Sequence, residues 1–105
     1  MIVVGQRITT GDELASLLDP RIKLRHLTCF VEVTRRGGVA RAGSALGMSQ
    51  PAVSKAIAEL EAILGVPLFD RSRRALALTA HGEMFLRFAT AGLATLRQGA
   101  DSVAE

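Results

Sequence analysis

The chain has 105 residues, enough for one small domain with attached segments. Its 13 Lys and Arg against 10 Asp and Glu give a formal charge of +3, a mildly basic balance that permits an anionic partner without demanding one. The single cysteine, Cys29, excludes an intramolecular disulfide and a thiolate metal cluster. No apolar run is long enough to span a bilayer, and the opening MIVVG is too short for a signal-peptide core, so a cytoplasmic protein without membrane attachment is expected.

Residues 1–20 read as an N-terminal extension. Thr10 and Glu13 have capping-box spacing and can open a short helix through Leu14, Leu17 and Leu18, which Asp19 and Pro20 then stop. The first strong helix is predicted over 24–36, with Leu24, Leu27, Phe30, Val31 and Thr34 on one face and Glu32 beside Arg35 and Arg36 on the solvent side. Gly37 and Gly38 end it, because glycine tolerates the left-handed cap. A shorter helix follows over 39–46, and its small residues Ala42 and Ala45 allow close crossing.

The third helix is predicted from Gln50 to Leu64. Val53, Ile57, Leu60 and Leu64 make one buried stripe, Ser49 is the natural N-cap, and Pro51 falls in the first turn, where its missing N–H breaks no internal bond. Helix, glycine stop, short turn and Ser-capped helix is the pattern of a helix-turn-helix. Gln50, Ser54 and Lys55 fall outside the buried stripe near the positive helix end. Gln can pair with adenine, Ser can reach bases or phosphate, and Lys can neutralise phosphate.

VPLFD and ALALT then read as two strands joined by a turn carrying Arg71, Arg73 and Arg74: a hairpin with a basic tip, in the place of a wing. The last segment, about 80–104, is one long helix capped by Thr79. Phe85, Ala89, Gly92, Leu96, Gly99 and Val103 recur along one seam, widened by Leu86, Leu93 and Ala100. A small helical body cannot cover so long a stripe, so a second copy is expected against it. His26 and His81 stand apart in the sequence with no acidic pair to complete a site, and no serine has a paired base. No catalysed reaction, cofactor or metal is expected.

Residues 24–88 resemble the N-terminal DNA-binding domain of LysR-type transcriptional regulators. The likeness is carried by LRHLTCFVEV at 24–33, ARAGSALGMSQPAVSKAIAELEAILGVPLFDR at 40–71 and LTAHG at 78–82. RRALALT together with IKLRHLTCFVEV is similar to regulators of the protocatechuate and galactose-binding-protein type. The resemblance implies a mostly α, winged helix-turn-helix domain over 21–78 and a long C-terminal dimerisation (linker) helix over 79–105. It implies base contacts from Gln50, Pro51 and Ser54, and backbone contacts from Lys55, Arg41, Ser49, Arg71, Arg73 and Arg74. Phe85, Ala89, Gly92, Leu93, Leu96 and Val103 are then the dimerisation seam.

The implied partners are double-stranded DNA, read as a near-palindromic operator, and a second copy of the chain in a homodimer. The family also implies a C-terminal effector-binding domain beyond these residues, a small-molecule effector and a tetrameric full-length protein. The family pattern starts almost directly with the first helix, whereas here residues 1–20 precede it. The alternative reading is a helical protein-interaction or dimerisation module that uses the last helix and binds DNA only weakly.

Overall fold

The chain breaks into helices where its capping residues say it should. The computed structural model describes residues 18–105 and contains α1 (Leu24–Arg36), α2 (Val39–Leu46), α3 (Gln50–Leu64) and α4 (Ala80–Ala104). The capping box and short helix expected around Thr10 to Leu17 lie outside the described residues. Gly37, Gly47 and Gly65 close α1, α2 and α3 with φ of 80°, 68° and 78°, a left-handed geometry that strains any residue with a Cβ. Ser49 and Thr79 cap α3 and α4, their hydroxyls accepting the N–H of Ala52 and Gly82.

The core lies where α1, α2, α3 and the base of the wing meet, around Phe30, Leu60, Leu68, Val33 and Val53, all fully buried. Phe30 is its hub. Its ring meets Phe69 edge-on at 5.5 Å and Phe85 at 5.9 Å, joining α1 to the wing and to α4. Cys29 packs its thiol 3.6 Å from the Met48 sulfur, and burial pushes the thiol pKa up, as suits an inert structural cysteine.

The face of α1 is rotated from the predicted one. Leu24 is 58% exposed, while His26, Cys29 and Val33 are buried with Phe30 and Val31. Packing on α2, α3 and α4 together covers a wider arc of α1 than one stripe, and the first turn is left outside it. His26 is 2% exposed and meets a single carboxylate, Glu59 of α3.

The wing is narrower than the two predicted strands. One antiparallel bridge, Phe69 to Leu78, is flanked by bonds from Asp70 N–H to Ala77 O at 2.9 Å and from Thr79 N–H to Leu68 O at 3.0 Å. Past Phe69 the ladder ends because the Asp70 carboxylate turns back to accept the backbone N–H and hydroxyl of Ser72. Among the described residues, no helix is long and apolar enough to cross a membrane.

Candidate nucleic-acid interface

Three elements, α2, α3 and the wing, carry exposed charged and polar groups. The hydrophobic residues of α3 (Val53, Ala56, Ile57 and Leu60) are buried, which turns Gln50, Pro51, Ser54 and Lys55 to solvent. Their end of the helix is the positive end of its dipole and has no acidic residue in its first turn, although Pro51 has no N–H and those of Ala52 and Val53 are bonded to Ser49. An acid there would stabilise an isolated helix but would repel a phosphate. Ser49 is exposed as well, although its hydroxyl already accepts the Ala52 N–H at 3.2 Å. Arg41 is exposed on α2.

The arginines of the wing are not equivalent. Arg71 reaches back to Glu61 near the end of α3, with Nη1 3.0 Å from Oε2. Arg73 stands 3.6 Å from Asp70. Arg41, Lys55 and Arg74 have no ion pair among the described residues. Ser54 and Ile57 of α3 share an open depression of about 480 Å³ with Arg71, Arg73 and Arg74, so α3 and the wing border one concave surface. Arg41, Lys55, Gln50 and Pro51 lie outside its lining.

The sequence leaves Arg71 able to pair with Asp70 or with a helix carboxylate; the structure selects the helix carboxylate Glu61, which no spacing singled out. Its Oε2 accepts Leu68 N–H at 2.7 Å, Phe69 N–H at 3.2 Å and the Arg71 guanidinium. Burial pushes its carboxyl up, but these three donors outweigh that and hold its pKa below the ordinary glutamate value. Only the seven- and eight-residue offsets to Leu68 and Phe69 could have flagged it, and no helical or strand period produces them.

The expected seam on α4 divides. Ala89 is buried against the chain's own core, and Phe85 and Leu93 pack partly against it. Gly92, Leu96 and Val103 face solvent, Leu96 at 59% exposure. Two further apolar residues, Met84 and the 67%-exposed Phe88, stand one helical turn apart at the edge of an apolar hollow of about 250 Å³ lined also by Leu64, Val66, Leu68 and Phe85. Their i, i+4 spacing was the available signal, but it lies beside the seam rather than on it.

Residues 24–83 match the bacterial regulatory helix-turn-helix proteins of the lysR family. The chain belongs to the LysR family. It is 51% identical over 89 residues to the transcriptional regulator PcaQ of Agrobacterium fabrum, covering 85% of this chain and 29% of PcaQ. It is 38% identical over 86 residues to the regulator GbpR of Azospirillum brasilense, covering 82% of this chain and 25% of GbpR. The fold superposes on the BenM DBD in its complex with catB site 1 DNA with a TM-score of 0.74 at 32% identity, over 78% of this chain and 92% of that one. This LysR-family chain therefore spans under a third of the length of these curated relatives. Its fold is that of a regulatory helix-turn-helix module and not of a catalytic domain.

Proposed function

We propose that the chain is the DNA-reading part of a transcription regulator and binds a near-palindromic operator as a dimer. One observation carries this reading. The uncovered N-terminal face of α3 offers Gln50, Pro51, Ser54 and Lys55, while Ser54 shares a concave surface with the wing arginines. A relative of the same fold is solved on DNA, and the same mode here puts α3 into a major groove. Gln50, Pro51 and Ser54 then meet base edges. Lys55, Arg41, Ser49, Arg73 and Arg74 meet the backbone beside them.

Dimerisation through the exposed residues of α4 pairs two such surfaces. A two-fold axis in the protein requires a matching near-palindrome in the DNA. The finer reading, a tetramer that responds to a small-molecule effector through a second domain, rests on the family resemblance alone.

The test is enrichment from a randomised duplex pool, followed by a footprint on the winning sequence. The expected result is a near-palindromic motif with two protected major-groove patches separated by whole helical turns. Failure of a folded dimer to enrich any sequence would favour a helical interaction module built on Met84, Phe88, Leu96 and Val103.

A further inference from the structure

We propose that Glu61 is a positioning residue for the wing. It fixes how far the arginine-bearing turn reaches beside the recognition helix, and it does so without touching DNA. The proposal rests on the reading above that Arg74 meets the duplex. Glu61 lies in the last turn of α3, where a carboxylate faces the negative end of the helix dipole and weakens the helix. Its compensation comes from outside the helix. With its side chain 14% exposed, one oxygen collects two successive peptide N–H groups, Leu68 and Phe69, and the Arg71 guanidinium.

Those bonds fix two peptide planes at the entrance to the wing. Phe69 then makes the single bridge to Leu78, and Arg74 lies five residues farther on. The return of the wing is fixed independently. Thr79 donates its hydroxyl to Pro67 O at 2.7 Å, and Gly82 lies so close to the Leu68 carbonyl that a Cβ would overlap it. With so few ladder bonds, the direction of the tip depends on these anchors at its base. Arg71, tied into the Glu61 cluster, acts with it on the position of Arg74.

The test is a double-mutant cycle on the full 105-residue chain. The probe is the duplex that the wild-type chain enriches from a randomised pool, and folding of each variant is verified by circular dichroism. R74A should weaken binding about tenfold in the wild-type background and less than about twofold beside E61A, because a wing without its anchor no longer presents Arg74. E61Q keeps an acceptor oxygen for the two N–H groups and should restore most of the R74A effect. A protein that is merely less stable, but folded at the assay temperature, would show the same R74A cost in both backgrounds, and that result overturns the proposal. If E61A does not fold, E61L replaces it, a side chain that fills the space but offers the Leu68 and Phe69 N–H groups no acceptor, and an undiminished R74A cost beside E61L overturns the proposal equally. A neutral R74A in the wild-type background overturns the wing-contact reading and this proposal with it, while the recognition-helix reading is judged separately by Q50A.

Discussion

His26 Nε2 lies 2.9 Å from Glu59 Oε1, tying α1 to α3 across 33 residues of sequence. The other ring nitrogen, Nδ1, accepts the Lys23 N–H at 2.9 Å, so the proton of the neutral ring belongs on Nε2 and is donated to the carboxylate. That bond holds the Glu59 carboxyl below the ordinary glutamate pKa, helped by the nearby positive charges of Lys55 and Arg25. H26A removes a buried ring with two partners and should lower unfolding stability by about 2–4 kcal/mol. Urea denaturation measures this, and an unchanged midpoint would show that the contact contributes nothing.

Gly82 sets two effects against each other. Alanine is the better helix former by about 1 kcal/mol. At this position, however, its Cβ would overlap the Leu68 backbone oxygen, which the bond from Thr79 N–H holds in place. Overpacking against backbone costs about 1–3 kcal/mol or more, so G82A should be destabilising overall. A rise in melting temperature would mean that the wing base yields freely.

Glu61 should leave a signature at low pH. Its folded pKa is depressed, so the unfolded chain binds its proton more readily. The associated stability is present above the unfolded value of about 4.3 and is lost as pH falls through the folded one. Urea midpoints from about pH 6 to about pH 3 should therefore fall more steeply for wild type than for E61Q. Parallel curves would assign the acid sensitivity elsewhere.

The divided seam of α4 makes Leu96 and Ala89 behave differently. Leu96 is exposed, so L96E should leave the monomer folded and abolish dimers in sedimentation velocity. Ala89 is buried, so A89E should unfold the domain. An intact L96E dimer would remove the outer seam from the interface.

Helix limits were legible because they rest on local chemistry: Gly37, Gly47 and Gly65 as left-handed stops, Ser49 and Thr79 as caps. The outward side of α3 was legible for the same reason, since Val53, Ile57 and Leu60 define its inward side. What failed depends on distant partners. The exposure of Leu24, the burial of His26 against Glu59 and the three donors on Glu61 are set by how elements pack, and no period within one element encodes them. The wing fell between these cases. ALALT has strand alternation, but the Asp70 turn ends the ladder after one bridge, leaving Leu76 exposed.

The central claim is that the free face of α3 reads sequence. Fluorescence anisotropy, with the enriched duplex and a scrambled one titrated by wild type and by Q50A over a range of salt concentrations, tests it most directly. The account predicts that wild type prefers the enriched duplex and that both duplexes show a steep salt slope. Q50A should reduce that preference by about 1–3 kcal/mol while keeping the slope. A Q50A protein with undiminished preference would contradict it.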